Sequence, residues 1–326
     1  MARKGRGRPQ RQRKKRQQQQ YEELDKYPVS PPHSFARIVR DLRTLNIMYQ
    51  AIEPPLNKKE QTYFEEIMDI FVRSLTADIE EIDTDPEGYL RAAMDQIIKS
   101  YGMKITKKSR SKIFYYLKRD LIGYGRMDVL MNDANVEDVS LDGTGIPIFA
   151  YHRKFESVET SILWPTDNEL ESFVIKLAQR CGKHISVAEP LLDATLMDGS
   201  RIVMKLGYEI STKGSTFCIR RFREDPFSPC DLVAFRTMTS LMVAYLWIGF
   251  QQGISMLFVG GTASGKTTTL NAMALFIPWQ MKIVSIESTR EVNIPQPNWI
   301  PGLTRQGFGG ESDDGVIGEF ELLKAA

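Results

Sequence analysis

The sequence predicts an α/β protein with a helical region first, a mixed α+β domain next and a parallel α/β domain last. Three observations lead to this prediction. Apolar residues recur at helical spacing in the first third, glycines then separate short β-like runs, and a strand, a glycine loop and a helix follow one another in the second half. The predicted parts are a tail over 1–20, a helical region over 28–120, an α+β domain over 121–222, a linker over 223–231 and an α/β domain over 232–326.

The composition indicates a folded protein of a reducing compartment. The chain has 326 residues, of which 42% are apolar and 26% are charged. That length suits about two domains, and the charged fraction excludes a bundle of membrane spans and a fully disordered chain. The three cysteines form no CxxC pair, which argues against a disulfide framework and against a zinc knuckle. We therefore expect a cytoplasmic protein.

The first twenty residues differ in charge from everything that follows. Residues 1–20 carry nine Lys or Arg and no acid, which leaves 34 basic and 41 acidic side chains for the rest. This segment has no apolar period, so we expect a disordered tail and no signal peptide. Two interpretations stay open, a solvated tail without a partner and weak attachment to an anionic surface such as lipid headgroups. The absence of aromatic residues argues against base stacking, and no nucleic-acid partner is expected.

The helical region follows a proline-rich breaker at residues 28–34. We predict helical structure from about Phe35 to Lys118, with Asp85-Pro86 opening one helix and another over Ser109–Leu121. The region carries no residues with an evident chemical role, and we expect a small bundle used for docking. Its most regular apolar stripe, with spacings of three and four, consists of Tyr63, Phe64, Ile67, Ile70, Phe71 and Leu75.

Short β-like runs begin beyond residue 121, where glycines punctuate the chain. One helix is expected here, over Asp167–Cys181, with Thr166 or Asp167 as its cap. These runs and this helix predict a mixed α+β domain. The predicted strands are Val136–Leu141, Ile146–His152, Leu191–Met197, Arg201–Leu206 and Thr216–Phe222.

An uncharged stretch from Thr237 to Thr262 requires a test for a membrane span. Its most apolar part, Leu241–Phe250, is interrupted after about ten residues by two glutamines and a glycine, whereas a spanning helix needs about 20 apolar residues. We therefore predict a buried helix and then a buried strand over Ile254–Val259.

A glycine-rich motif directly after that strand predicts a nucleotide site. Residues 260–267 match the pattern G-x-x-x-x-G-K-[ST], and a helix is predicted to follow over Thr267–Phe276. Backbone N–H groups of such a loop surround a polyphosphate, the lysine reaches the β- and γ-phosphates, and the hydroxyl after it ligates Mg²⁺. We predict ATP and Mg²⁺ as cofactors, with Thr267 as the metal ligand. The predicted binding residues are Gly260, Gly261, Thr262, Ala263, Ser264, Gly265, Lys266, Thr267 and Thr268.

Charged residues outside the loop complete the candidate site. Glu287 ends the predicted strand Lys282–Glu287, at the edge where ligands of open parallel sheets bind, and could order the Mg²⁺ hydration shell or the attacking water. Arg201 and the group around Arg220 and Arg221 suit phosphate charge, although ordinary ion pairing is an open alternative. The three histidines lack partners at metal-ligand spacing, which favours structural roles.

Several stretches together resemble the secretion ATPases of type II secretion, type IV pili and archaella, the archaeal branch most. These stretches cover about 121–326, roughly two-thirds of the chain. They are GYGRMDVLMNDANVEDVSLDGTGIPIFAYHR (123–153), LLDATLMDGSRI (191–202), FCIRRF (217–222), LFVGGTASGKTTTLNAMALFIP (257–278), KIVSIESTREVNIP (282–295), LTRQGFGG and FELLKAA.

The resemblance implies a two-domain motor, with a PAS-like domain before a RecA-like ATPase domain and ATP between them. It implies a ring of six subunits whose ATP hydrolysis moves an integral membrane platform protein and so exports or assembles pilin-like subunits. By position, residues 260–268 form the phosphate loop and Glu287 is the first acid of the Asp box. Arg201, Arg220 and Arg221 match arginines that the first domain presents to phosphate. A location at the inner face of the membrane is expected.

Two departures from the family pattern bear on turnover. Ser288 stands where the Asp box usually has a second acid, and the Walker B strand and His box that follow the FELLKAA helix do not occur before Ala326. We therefore expect an incomplete RecA-like domain that is inactive by itself. The alternatives are a nucleotide-binding regulatory subunit without hydrolysis and, against the acidic charge of the body, a nucleic-acid motor.

Overall fold

The structure is a computed structural model that describes residues 21–74, 85–222, 226–261, 264–288, 290–304 and 317–325. The predicted basic tail over 1–20 lies outside the described residues. The chain divides into two compact units, and the predicted domain boundaries stay predictions. Unit 1 comprises Met1–Ala178, His184–Leu192 and Met204–Ile219, and unit 2 comprises Gln179–Lys183, Asp193–Val203 and Arg220–Ala326.

The prediction of helical structure from Phe35 onward is wrong for its first part. Residues 21–52 form three antiparallel strands, β1 (Tyr21–Ser30), β2 (Ser34–Asp41) and β3 (Ile47–Ile52). From Ser34 to Ile38 of β2, the buried Ser34, Ala36 and Ile38 alternate with the more exposed Phe35 and Arg37, which is the two-residue period of a strand. The proline-rich breaker is the turn between β1 and β2, so it connects two strands and does not precede a helix.

Three helices follow these strands and confirm the helical prediction where they lie, whereas residues 75–84, with Leu75 of the predicted stripe, lie outside the described residues. The helices are α1 (Lys58–Ser74), α2 (Pro86–Ser100) and α3 (Lys107–Leu121). Asp85 caps α2 by accepting a hydrogen bond from the N–H of Gly88, as the Asp85-Pro86 signal predicts. A docking role for these helices stays a prediction. Their shared core consists of Ile67, Phe71, Leu90, Met94, Ile97, Ile113 and Leu117.

A large mixed sheet forms the centre of unit 1. Its strands β4 (Val136–Leu141), β5 (Pro147–His152) and β6 (Glu156–Leu163) form an antiparallel meander. Because β3 pairs with β6 in parallel, the first hairpin and the meander share one sheet. The strand order is β1-β2-β3-β6-β5-β4-β9. The other elements are a 3-10 turn (Gly125–Met127), α4 (Asp128–Asn132), α5 (Asp167–Arg180) and β9 (Thr216–Arg220). The short strands β7 (Leu191–Thr195) and β8 (Arg201–Lys205) have residues in both units.

A buried polar cluster ties β1 to the meander. The hydroxyls of Tyr27 and Tyr49 donate to Asp133 Oδ2 at 2.7 and 2.9 Å, and Tyr27 Oη lies 2.9 Å from His152 Nε2. Because His152 Nδ1 accepts from the N–H of Lys154, we infer that the imidazole proton is on Nε2 and is donated to Tyr27. Burial raises the pKa of Tyr27 and lowers that of His152, so both groups stay neutral here. This contact network is consistent with a structural role for His152.

Unit 2 carries the elements around the predicted nucleotide site. The residues Pro229–Ala234 form α6, whose capping box joins Ser228 and Asp231, so the end of the predicted linker over 223–231 is the first turn of a helix. Strands β10 (Ile283–Glu287) and β11 (Trp299–Leu303) pair in parallel, as the predicted parallel α/β domain requires. The other elements are α7 (Ser240–Gln251), α8 (Lys266–Ala274) and α9 (Glu319–Ala325).

The predicted strand over Ile254–Val259 is wrong for this structure. Residues 254–260 have no strand assignment, and no described residue pairs with them in a β ladder. A strand is defined by its hydrogen-bonded neighbour, so an apolar run without one stays irregular. The helix before it, α7, confirms the predicted helix, but its predicted burial is wrong, since Leu241 and Tyr245 are 79% and 78% exposed. Within the described part of the chain, every helix is too short or too polar to cross a bilayer.

Candidate functional site

The described residues of the phosphate loop have the backbone that the motif requires. Gly265 lies in the left-handed region at φ +84° and occupies the N-cap of α8. A Cβ at Gly260 would lie 2.5 Å from Ser264 Oγ, so a larger residue there would crowd the loop. Thr262 and Ala263 lie outside the described residues. The loop therefore leads directly into α8, whose first N–H groups lack intrahelical acceptors and can bind an anion.

Lys266 and Thr267 open α8 beside this loop. Lys266 Nζ donates to the carbonyl oxygen of Gly261 at 2.6 Å, so the ammonium group lies across the loop that precedes it. Thr267 and Thr268 follow in the first helical turn. A cationic group, two hydroxyls and the positive end of a helix dipole are thus concentrated in four consecutive residues. This arrangement suits the binding of a polyphosphate.

Glu287 is held by the segment that follows it. Its Oε2 accepts hydrogen bonds from the backbone N–H groups of Glu291 and Val292, both at 2.8 Å, and its Oε1 accepts from the Ser285 hydroxyl at 3.1 Å. The carboxylate therefore fixes the chain after β10 in this structure. Its predicted catalytic role stays a prediction.

Asn271 is a residue of this site that the sequence analysis missed. Its side chain lies on α8, where Nδ2 donates to the Glu291 carbonyl at 2.9 Å and Oδ1 accepts from the Asn293 N–H at 3.1 Å. At the end of the same helix, the carbonyl oxygen of Ala274 accepts a hydrogen bond from the buried side chain of Gln296 at 3.3 Å. A buried asparagine in an otherwise apolar part of the helix, one turn after Thr267, is the signal that could have indicated it.

The predicted arginines occupy different surroundings. Arg201 forms two hydrogen bonds with the Asp193 carboxylate, at 3.1 and 2.6 Å, whereas Arg220 lies 3.9 Å from the Glu291 carboxylate. Arg221 is partly buried directly after β9. Glu291 thus contacts Glu287 through its backbone N–H and lies near Arg220 through its carboxylate. Arg201 is paired with Asp193.

Arg290, three residues after the end of β10, lies against two aromatic rings. Its guanidinium carbon lies 5.5 Å from the centroid of the Phe222 ring and 5.8 Å from that of Trp299. Cation–π contacts of this kind stabilise a surface arginine by about 0.5–1 kcal/mol. They hold the start of the segment after β10 against the residues that follow β9.

A magnesium ion at this site does not need a cluster of acidic ligands. Among the described residues, no group of three or more His, Cys, Asp or Glu side chains could hold a metal. Protein-bound Mg²⁺ commonly takes one or two protein oxygens together with phosphate oxygens and water. The Thr267 hydroxyl at the start of α8 fits that pattern.

Several known proteins are similar to this chain over part of their length. The chain is 40% identical over 224 residues to Uncharacterized protein MJ0900 of Methanocaldococcus jannaschii, which is 69% of this chain and 40% of that protein. It is 42% identical over 164 residues to MJ1288 of the same organism, which is 50% of this chain and 65% of that protein. Type IV secretion system protein VirB11 of Bartonella henselae is 26% identical over 206 residues, 53% of this chain and 56% of that protein. The chain thus spans 40% to 65% of the length of these relatives.

A solved structure and a family profile also match the chain. The VirB11 ATPase of the Brucella suis type IV secretion system matches with a TM-score of 0.30 and 20% identity, over 58% of this chain and 60% of that chain. The profile of the family described as Type II/IV secretion system protein matches residues 151–302, a range that includes the phosphate loop and Glu287. Residues 151–302 of the chain are thus similar to the proteins that this type II/IV secretion family describes.

Proposed function

We propose that the chain is the ATP-binding subunit of a secretion or pilus-assembly motor ATPase. The observation that carries this proposal is the placement of Lys266 and Thr267 at the start of α8, directly after the left-handed Gly265. The loop before them brings backbone N–H groups, an ammonium group and a helix N-terminus to one place. An anion with several phosphate groups can use all of these donors at once.

The residues of the loop have separate roles in this proposal. Lys266 exchanges the Gly261 carbonyl, now 2.6 Å away, for the β- and γ-phosphate oxygens. Thr267 holds Mg²⁺ through its hydroxyl, and the N–H groups of residues 260–268 donate to the phosphates. When bound, Mg²⁺ neutralises phosphate charge and orients the terminal phosphate. Arg201, Arg220 and Arg221 add positive charge, within one subunit or across a subunit boundary.

Turnover by this chain alone is not part of the proposal. Glu287 accepts two backbone N–H groups on Oε2 and the Ser285 hydroxyl on Oε1, so in this arrangement the carboxylate holds the chain that follows β10. This observation favours a second candidate function, a nucleotide-binding subunit that joins a ring and regulates it without hydrolysis. A purified 326-residue chain should then turn over ATP no faster than its Lys266→Ala variant.

The assembly around the site follows the resemblance to secretion motors. The subunit would join a hexameric ring at the inner face of a membrane and act on an integral membrane platform protein during export or assembly of pilin-like subunits. The basic tail over 1–20 would add contacts with anionic lipid. Pilus, archaellum and secretion systems share this chemistry.

Binding of a fluorescent ATP analogue in the presence of Mg²⁺ tests the proposal. Lys266→Ala should weaken binding by at least about tenfold, since hydrogen bonds to charged groups contribute about 1.5–3 kcal/mol. Lys282→Ala is the matched control, because it removes an equal charge from an exposed position of the same unit, just before β10. Equal binding by all three proteins would defeat the site assignment.

A further inference from the structure

The described chain between β10 and β11 is held along α8 without forming a helix. Parallel strands need a connection that returns to the starting edge, and this connection is usually a helix. Here the described part of the connection, residues 290–298, which we call the crossover, contains no helix. The buried Val292 and Ile294 of the crossover pack against Ala274 at the end of α8.

Two side chains fix the first half of the crossover, and we call this pair, Asn271 and Glu287, the clasp. Glu287 binds the N–H groups of Glu291 and Val292, and Asn271 binds the Glu291 carbonyl and the Asn293 N–H. Asn271 is only 8% exposed, so water cannot readily replace these bonds. Backbone groups of three consecutive crossover residues thus depend on the position of α8 and of the end of β10.

The clasp is connected to the phosphate loop through α8. Asn271 follows Thr267 by four residues, which places the two side chains on the same face of the helix, one turn apart. The helix is short, and Ala272, Met273 and Ala274 are buried, so it moves as one body. A shift of its first turn, as Lys266 leaves the Gly261 carbonyl, would therefore reach Asn271.

The other side of the crossover contacts residues that follow β9. Glu291 lies 3.9 Å from Arg220, and the Arg290 guanidinium lies over the rings of Phe222 and Trp299. Arg220 and Phe222 end the predicted α+β domain. The crossover therefore contacts α8 through both backbone groups and side chains, and it contacts the end of β9 and Phe222 through the side chains of Glu291 and Arg290.

We propose that the clasp of Asn271 and Glu287 transmits the nucleotide state of the phosphate loop to Arg220 and Phe222 through the crossover. This inference rests on the proposed nucleotide binding and assigns Asn271 as a positioning residue. The ligand shifts the crossover only if the two positions of α8 differ in their affinity for nucleotide. Coupling then requires that the backbone of the crossover follow the helix, which is what the clasp provides.

Trp299 reports the position of the crossover. Its indole N–H donates to the Ser285 hydroxyl at 3.1 Å, and Arg290 lies over its ring. The chain has four tryptophans, so labelling with 5-fluorotryptophan gives four ¹⁹F resonances that single Trp→Phe variants assign. The spectra are recorded on the full chain, without nucleotide and at saturation with a non-hydrolysable ATP analogue and Mg²⁺.

The expected result is a nucleotide-induced shift of the Trp299 resonance that falls by at least half in Asn271→Ala. Gln296→Ala is the matched control, because Gln296 is a buried amide that ties the same crossover to the same helix beyond the clasp, and its variant should keep the shift. If Asn271→Ala does not fold, Asn271→Asp replaces it, since this variant keeps the acceptor for Asn293 and loses the donor to Glu291.

Three results would overturn the inference. They are a saturated wild-type protein without a Trp299 shift, an unchanged shift in the Asn271 variant, and an equal loss of the shift in Gln296→Ala. The analogue's binding is measured separately by its own fluorescence. Failure of the wild-type protein to bind it would instead defeat the proposed function.

Discussion

Unit 1 and unit 2 differ in how completely they cover their apolar side chains. In unit 1, Leu117 and Ile38 are fully buried, and each helix and strand meets a neighbour from the same unit. In unit 2, Leu257 is 88% exposed and Leu241 on α7 is 79% exposed, although both belong to the longest uncharged stretch of the described chain. A helix that is apolar on all sides is normally buried, and large exposed apolar patches mark interaction surfaces. Unit 1 thus buries its apolar core within itself, whereas unit 2 leaves apolar side chains exposed that are available for further contacts.

The largest expected effect on stability comes from a Leu→Ala substitution in unit 1, compared with the same type of substitution in unit 2. Leu117→Ala removes a fully buried side chain of unit 1 and should lower the free energy of unfolding by about 2–5 kcal/mol, because a cavity remains in the core. Leu257→Ala in unit 2 should change it by about 0.5 kcal/mol or less. Urea unfolding of the full chain measures both values. Similar losses in the two variants would contradict the contrast between the units.

A smaller effect is expected in the polar cluster of unit 1. Tyr27→Phe removes a hydroxyl that donates to the buried Asp133 carboxylate at 2.7 Å, and should lower the free energy of unfolding by about 1.5–3 kcal/mol. Tyr151→Phe, at an exposed tyrosine of β5 in the same sheet, is the control and should have little effect. The same urea experiment measures it. Equal stability of Tyr27→Phe and the wild-type protein would show that β1 is held without this bond.

The smallest expected effect is a dependence on pH that belongs to unit 1, where all three histidines lie. Burial lowers the pKa of His152 below its unfolded value of 6.5, opposed by Asp133 and Asp25 and aided by Lys154 and Arg153. Since the unfolded chain then binds the extra proton, His152 stabilises the fold above pH 6.5, and this contribution falls as the pH drops toward the lowered pKa. His152→Gln should therefore flatten the acidic side of the stability curve measured by urea unfolding. A slope parallel to that of the wild-type protein would contradict this assignment.

The sequence predicted the elements whose signals are local. The Asp85-Pro86 start of α2, the Val136–Leu141 strand and the loop before Lys266 are each specified by a few consecutive residues, and the structure has all three elements. The similarity to the type II/IV secretion family was likewise predictable, because several separated motifs had to occur in order.

The parts that the sequence did not predict depend on distant partners. The run around Ala36 and Ile38 suits a helix or a strand when taken alone, and its pairing with β1 and β3 decides between them. The run over 254–259 is the reverse case, since its composition suits a strand and no described neighbour pairs with it. Asn271 escaped prediction because its partners are backbone groups about twenty residues away, which leave no mark on composition.

Nucleotide binding by the phosphate loop is tested most directly by hydrogen exchange measured by mass spectrometry, with and without a non-hydrolysable ATP analogue and Mg²⁺. Binding of the analogue at this loop should slow the exchange of backbone amides in peptides covering residues 260–274 of unit 2, with no change in peptides covering α1 to α3 of unit 1. Unchanged exchange over 260–274 at a saturating concentration of the analogue would contradict nucleotide binding by the phosphate loop.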